Sequence, residues 1–476
     1  MAASDSIISI GEEAECEECE EFGINIPPLM PPAEWPECCI YRVPKKLRKV
    51  NEEAYTPKLV SIGPFHHCRE ELKDMEMQKL RYLKDFLDQT GKSKEDLLKI
   101  IQNKEEKIRH CYSEDFTHIS SNHFAKMILL DAIFIIELFR RTKPWQPENG
   151  ENDEDDYVIK NPWLTNGIRL DLILLENQLP FFILKKLFKF TGPEYHKAQK
   201  GGKNKEVTFL ELSLNYFYVF TISNRIDTQL PENFNRKEVK HFTDLIRHVF
   251  CSVPGLTMKL KQDLDSRICA TRLDDAGLKF KAVKERRLLD IKLCRNKCLE
   301  HFPCFNLSWL LACLPCLKKP FPWMEKMQSI LEIPPLLVDS NTEDLFRNLM
   351  ALEQCRYPLN SYIYNYVELL DYLIDADKDV DLLVQKKIIV NNIGSNEAVA
   401  KVINSLCLEI VVNKSCYSIL GKEINDYSDN HVNRIMATMK SEFYRDFWRG
   451  TATTVALFVM LYQFWGFLRP FVIKRE

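Results

Sequence analysis

The chain has 476 residues, 45% of them apolar and 28% charged, with a formal net charge of −3. That composition is normal for a globular protein and long enough for one large domain or two ordinary ones. The near-neutral balance gives no global field toward nucleic acid or anionic lipid, and only 15 glycines disfavour a Gly-rich phosphate-binding fold and a turn-dense all-β fold.

Residues 1–35 read as a tail. The stretch from Glu12 to Glu21 is acidic and self-repelling, and "INIPPLMPPAEWP" is Pro-rich and extended. The start lacks the basic residues and long apolar run of a signal peptide. Cys16 and Cys19 sit in this acidic tail, where nearby negative charge disfavours a thiolate, so a redox role is weakly signalled. Short strand-like pieces follow in "CIYRVPKKL" and "KLVSIGPF", and again at "LLDIKL" near 288 and "ILEIPPLLV" near 330. Lys45, Lys46, Arg48 and Lys49 form a basic patch too short for a nucleic-acid site and are expected on a solvated surface. His66 and His67 precede Cys68. Adjacent histidines suit metal or proton chemistry, but no partner is visible in sequence, and packing of the loop after "SIGPF" is the simpler expectation.

Helical periodicity dominates the rest. "MEMQKLRYLKDFLDQT" places Met77, Leu80, Leu83 and Leu87 on one face, and "NKEEKIRHCYS" continues that character. "SNHFAKMILLDAIFIIELFRR" starts at a Ser/Asn cap and ends in basic residues that suit a helix C-terminus. "LDLILLENQLPFFILKKLF" reads as two helical pieces meeting near Pro180. "SYIYNYVELLDYLI", "NEAVAKVINSLCLEI" and "HVNRIMATMKSEFYRDFW" are further helices. Residues 144–160 form an acidic loop, and "TGPEYHKAQKGGKNKEVT" and "TISNRIDTQLPENFNRKEV" are loops. Sixteen cysteines are spread along the chain, with Cys355 and Cys407 inside apolar helical segments, and are expected as free buried thiols in a reducing compartment.

Asp131, Glu137, Asp171 and Glu176 lie within apolar segments. Burying a carboxylate is costly unless it is paired, so each needs a reason. One is a general acid/base pair; the other is hydrogen bonding that fixes helix packing near Pro180, with Glu176-Asn177-Gln178 as the first target for a folding defect. Asp375 to Asp381, "DADKDVD", imitates a calcium loop but has Val380 where Gly is needed and Lys386 where the bidentate Glu belongs, so it reads as a solvated charge run. Cys294, Cys298, His301, Cys304, Cys313 and Cys316 have the spacing of soft metal ligands. No phosphate-loop, zinc-protease, nucleophile-elbow or dinucleotide fingerprint is present.

The end of the chain reads "RGTATTVALFVMLYQFWGFLRPFVIKRE". Gly450 to Leu468 is uncharged between Arg449 and Arg469, spans about 28 Å as a helix, and has aromatic and basic flanks. It is expected to be a transmembrane helix, with 447–476 as a membrane anchor and short basic tail. Asn306 and Asn413 head glycosylation sequons, usable only if the domain is translocated.

Several stretches resemble, in order, the plant domain-of-unknown-function-247 family: "CIYRVPKKLRKVNEEAYTPKLVSIGPFHHC", "MILLDAIFIIELF", "DLILLENQLPFFILKKLF", "ATRLDDAGLKFK", "LEIPPLLVDSNTEDLFRNLMALEQC" and "IIVNNIGSNEAVAKVINSL". The resemblance runs from about Cys39 onward. It implies a single-span plant membrane protein, often at the plasma membrane, with a recognition role in some members and no established chemistry. Two features depart from the pattern. Residues from about 294 to 328 intervene between stretches that are nearly contiguous in the family, as a retained intron would give, and Cys68 stands where the family usually has Gly.

The expected architecture is mainly α: a mostly helical family domain over 36–446 with a minor short-stranded sheet, plus one C-terminal transmembrane helix. The expected function is protein–protein recognition or signalling adaptation at a membrane, through protein partners and with the bulk domain in the cytosol. No catalytic, metal, cofactor, nucleic-acid or small-molecule site is assigned. The alternative is a membrane-tethered enzyme using the buried carboxylates.

Overall fold

The computed structural model describes residues 31–142, 156–192, 197–200, 203–223, 239–253, 255–260, 269–295, 328–430, 438 and 447–472. Helices dominate, as the periodicity predicts. In the first half, α1 (Lys45–Val50), α2 (Asp74–Thr90), α3 (Lys94–Gln102) and α4 (Glu105–Arg109) precede the long α5 (Ser121–Arg141). After it come α6 (Pro162–Asp171) and α7 (Phe181–Phe190). Only the piece after Pro180 is the expected helix: of the piece before it, Leu170 and Asp171 end α6, and residues 172–180 form turns.

Helix α5 is the axis of this half. Its run from Phe124 to Phe139 is buried on nearly all sides, and α2, α3, α7 and α8 (Phe209–Tyr216) pack around it. Local signals set the surrounding ends. Ser93 accepts the Glu95 and Asp96 amides at the start of α3, and Thr208 and Glu211 form a reciprocal cap on α8. Gly91, at φ +61°, ends α2 in the left-handed conformation. The buried face of α2 is not the expected one. Met77 and Leu80 are exposed, whereas Met75, Tyr82, Leu83, Phe86 and the ammonium-bearing Lys79 are buried. A stripe that includes a charged residue is invisible to an apolar count.

Between the halves lie α9 (Tyr218–Ser223) and α10 (Phe242–Cys251). The second half holds α11 (Ala270–Asp275), α12 (Thr342–Arg356), α13 (Tyr362–Leu373), α14 (Asp377–Gln385), α15 (Asn396–Leu406) and α16 (Ser418–Asp429). The strands are short and scattered. β1 (Lys197–Lys200) and β2 (Lys203–Glu206) form a hairpin inside a segment expected to be loop. β3 (Lys259–Leu260) pairs antiparallel with a late strand at Lys414–Ser415. β4 (Lys279–Ala282), β5 (Lys292–Cys294) and β6 (Ile330–Ile333) make a three-stranded sheet in the order β4-β6-β5, with β4 parallel and β5 antiparallel to β6. β7 (Leu336–Val338) runs parallel to β8 (Ile389–Asn391).

Neither strand-like stretch near the start becomes a strand. Ile40 makes an isolated bridge to Tyr112, "PKKL" enters α1, and residues 58–63 are irregular, with bends at 58, 59 and 63 and no strand partner. The tail's first 30 residues, the acidic loop over 143–155, residues 224–238, residues 296–327 and most of the stretch "HVNRIMATMKSEFYRDFW" lie outside the described residues.

The chain closes with α17 (Phe447–Val472). Among the described residues no helix is long and apolar enough to cross a membrane, so the expected transmembrane helix is not supported there. In α17 the side chains at 447–451, 453, 454, 457 and 468–472 fall outside the description.

Candidate functional site

Residues Lys58 to Gly63 raise a physical problem. Val60, Ser61 and Ile62 are buried, and buried backbone N–H and C=O groups need partners. With no strand beside them, side chains from distant helices supply those partners. The Asp171 carboxylate accepts the amides of Lys58, Leu59 and Val60 at 2.9, 2.6 and 2.8 Å. Asn177 donates to the Val60 carbonyl at 2.9 Å and accepts the Ile62 amide at 2.6 Å. Lys79 donates to the Ser61 carbonyl, and Asp131 accepts the Gly63 amide at 2.8 Å. Gly63 itself is obligatory: φ is +73°, and a Cβ would lie 2.7 Å from the Gln178 carbonyl oxygen.

The turns between α6 and α7 carry the hub of this network. Glu176 is buried and receives the Val43 amide at 2.7 Å, Arg42 Nη1 at 3.0 Å and Arg48 Nη2 at 2.6 Å. His66 Nε2 lies 3.2 Å from its other oxygen. Asn177 also donates to the Asp171 carbonyl. Gln178 donates to the carbonyls of Leu172 and Leu174 at 2.6 and 2.8 Å and accepts the Phe242 amide, tying α10 to the same turn. Arg48 is therefore part of the interior network rather than of a solvated basic patch.

Charge follows geometry. Burial alone would raise the Glu176 carboxyl, but His66, Arg48 and the Val43 amide hold it down at about 2. Burial pushes Asp171 up to about 6 against three amide donors. Burial would lower the Lys79 ammonium, yet Asp131 at 2.6 Å and Glu76 at 2.5 Å keep it above its ordinary value. Glu137 pairs with Arg140 and Arg141 at 3.0 and 3.1 Å. All four carboxylates singled out in the sequence are thus engaged by backbone amides or cations. Asp379, in the calcium-like run, is buried too. It accepts the amides of Thr271, Asp375 and Ala376 and so caps α14 instead of facing solvent.

The two adjacent histidines part company. Burial lowers the His66 pKa against the pull of Glu176. His67 turns toward His123, in the first turn of α5, with the two Nε2 atoms 2.9 Å apart. His67, Cys68 and His123 bring three ligand atoms within 4.8 Å of one another and could hold a metal ion. His123 supplies the partner that the sequence concealed, 56 residues downstream of His67. Of the cysteine-rich cluster, Cys294 is exposed on β5, while Cys298, His301, Cys304, Cys313 and Cys316 lie outside the described residues, as do Cys16 and Cys19. The described cysteines are free thiols. Burial pushes Cys38 up to about 11 and Cys355 up to about 12, where thiolate chemistry is suppressed.

A cleft of about 230 Å³ opens beside Asp171, lined by Thr56, Lys58, Trp163, Gly167 and Asp344 among others. Trp163 is 62% exposed at its edge, and the Lys58–Asp344 ion pair spans 3.1 Å.

The plant family DUF247, described as a plant protein of unknown function, matches residues 40–462. The chain is 28% identical over 455 residues to UPF0481 protein At3g47200 of Arabidopsis thaliana, covering 89% of this chain and 84% of the relative. It is 23% identical over 464 residues to the putative UPF0481 protein At3g02645 of the same plant, covering 83% and 82%. No solved structure matches the chain. The chain belongs to the DUF247 family.

Proposed function

We propose that this family member is a membrane-anchored recognition protein, whose helical domain binds protein partners while the C-terminal helix holds it to the plasma membrane, with the domain on the cytosolic side. One observation carries the anchor. In α17 the described apolar side chains, Val455, Phe458, Val459, Met460, Leu461, Tyr462, Phe464, Trp465 and Phe467, are all exposed. At 100° per residue these positions occupy every side of the helix. A protein partner covers one face of a helix; lipid covers all of them. The uncharged run Gly450–Leu468 and its basic and aromatic flanks support the same reading.

Recognition is favoured by the occupied state of the buried carboxylates. Asp131, Asp171 and Glu176 hold backbone amides and Glu137 is paired with Arg140 and Arg141, which favours structural work over acid/base work for all four. The cleft beside exposed Trp163 is the size of one or two side chains and has the anchor residue that protein interfaces favour.

The test begins with full-length protein in plant microsomes washed with alkaline carbonate. The wild type stays in the pellet, and Val459→Arg with Leu461→Arg releases it, since each mid-span arginine costs about 2.5–3.5 kcal/mol. Release of the wild type sinks the anchor. Protease digestion of an N-terminal tag, with the exposed Asn413 unglycosylated, places the domain in the cytosol. Proximity labelling then compares wild type with Trp163→Ala. A reproducible partner set lost in the variant, with membrane retention unchanged, supports recognition; no reproducible partner above an anchor-only control counts against it.

A further inference from the structure

We propose that His67, Cys68 and His123 form a binding site for a borderline divalent transition-metal ion of the Zn²⁺ class, with a fourth position open to solvent or to an incoming ligand. The three donors come from two rigid pieces of the fold. His67 and Cys68 sit on the turn after Gly63, which is held from below by His66 against Glu176, with the His67 amide donating to the Pro64 carbonyl and the Arg69 amide to the His66 carbonyl. His123 projects from the first turn of α5, the most deeply packed helix of this half. The imidazoles meet edge to face, ring centroids 5.1 Å apart, with the two Nε2 atoms 2.9 Å from each other.

The donor set suits this class of ion. Two neutral imidazoles and a thiolate are the soft and borderline ligands that zinc takes at about 2.0–2.3 Å, and tetrahedral bonds of that length put ligand atoms about 3.3–3.6 Å apart. The Nε2 pair at 2.9 Å opens by a few tenths of an ångström to admit an ion, and the Cys68 sulfur, within 4.8 Å of both, has about an ångström or less to close. Metal binding releases the Cys68 thiol proton to solvent as the Cys68 sulfur becomes a thiolate ligand.

Backbone conformation gives a second argument. Cys68 has φ +66°, a left-handed position where Gly costs nothing and a side chain costs about 1 kcal/mol. The sulfur is held beside two imidazoles at a position where folding alone would favour Gly. Three protein ligands with an open fourth position is the pattern of zinc sites that bind or activate a further ligand rather than closed structural sites. This inference is independent of the membrane reading, because the site lies in the helical domain.

The experiment uses purified full-length protein titrated with Zn²⁺ against a chromophoric chelator, and with Co²⁺ as a spectroscopic probe. The wild type binds with tetrahedral cobalt bands and a thiolate-to-cobalt charge-transfer band. Cys68→Gly relaxes the backbone, keeps or raises the thermal midpoint, loses the charge-transfer band and weakens Zn²⁺ binding by more than about 100-fold, the upper end of what losing only an outer partner costs. His123→Asn, on the exposed start of α5, weakens it similarly with the fold intact. If neither variant changes Zn²⁺ stoichiometry or the cobalt spectrum, the metal sits on other cysteines or histidines and the proposal is wrong. If the wild type fails to compete with the chelator, it is wrong as well.

Discussion

Residues Lys58–Gly63 and the β4-β6-β5 sheet satisfy their backbone hydrogen bonds in opposite ways. In the sheet, Lys279 pairs with Ile330 and Lys292 with Glu332, and strand answers strand. Its charged partners lie near the surface: Lys281, 59% exposed, bridges to Glu332 at 3.0 Å. In the first region, the partners are side chains of α2, α5, α6 and the turns after α6. Identity therefore matters far more there. A strand accepts many residues because its backbone does the bonding; a side-chain partner for a buried amide has few substitutes. The difference predicts where the molecule tolerates change.

The largest effect is expected at the hub. Glu176→Gln keeps the shape of the side chain but leaves Arg48, only 18% exposed, and part of Arg42 without their anion. Removing one partner of a buried pair costs roughly 3–5 kcal/mol. Arg42 keeps Glu114, which puts the expectation near the lower end. Lys281→Met in the sheet removes the exposed partner of Glu332, which keeps Arg286 at 2.8 Å, and is expected to cost less than about 1 kcal/mol. Urea unfolding of the purified full-length variants measures both. Equal losses would break the comparison, and a Glu176→Gln protein of native stability that had lost a turnover activity would revive the enzyme alternative.

The next effect is a pH dependence in which the buried groups oppose one another. Glu176 falls from an ordinary 4.5 to about 2, so its contribution is complete above pH 4.5 and is lost as pH falls toward 2. His241, buried beneath the Cys39 carbonyl, drops from 6.5 to about 4; it favours the folded state above pH 6.5 and loses that contribution as pH falls toward 4. Asp171 has the reverse sign. Its rise from 3.8 to about 6 favours the folded state at low pH and costs stability as pH climbs through 6. Each amounts to about 3 kcal/mol. Between pH 4 and 6 the His241 and Asp171 slopes offset one another, and Asp371, also pushed up to about 6, adds to the Asp171 side. Asp171→Asn removes one of the opposing slopes. Whatever its overall cost, the variant's urea midpoint should rise more steeply with pH across this window than the wild type's. Parallel profiles would remove Asp171 from the account.

How much of this was written in the sequence follows from the same contrast. The carboxylates Asp131, Glu137, Asp171 and Glu176 stood out because a charge inside an apolar run is a local anomaly, and the packing role expected for Glu176-Asn177-Gln178 matches the geometry. Their partners did not stand out. Lys79 to Asp131, His66 to Glu176 and His67 to His123 are links across tens of residues, and no local pattern encodes them. The same blindness misplaced the face of α2, where Lys79 occupies the middle of the buried stripe. "KLVSIGPF" reads as a strand but is an irregular segment, because its amides are satisfied by the side chains of Asp171, Asn177 and Asp131 instead of a neighbouring strand. Cys68 was legible as a departure from a glycine, but the reason glycine suits that position needed φ.

The smallest expected effect tests the permissive side of the comparison. We propose that residues from about 294 to 328 are an insertion, and the sheet shows why it costs the fold little: Cys294 and Ile330, at its two ends, are register partners. Replacing 296–327 with a short Gly-containing turn should preserve the pairing of β5 with β6. Shortening a connection of this length to a few residues spans three to four halvings, worth about 2 kcal/mol of loop-closure entropy in favour of the folded state. A tighter turn gives some of that back as strain, so the variant should be equal to the wild type or up to about 2 kcal/mol more stable. The zinc titration of the same variant separates the two cysteine-bearing regions. Retained binding assigns the ion to the His67–Cys68–His123 cluster, and binding lost with the insertion assigns it to Cys298, His301, Cys304, Cys313 and Cys316 instead. A variant that failed to fold would mean that strand-to-strand pairing here depends on what connects it, and the tolerance expected of the sheet would not hold.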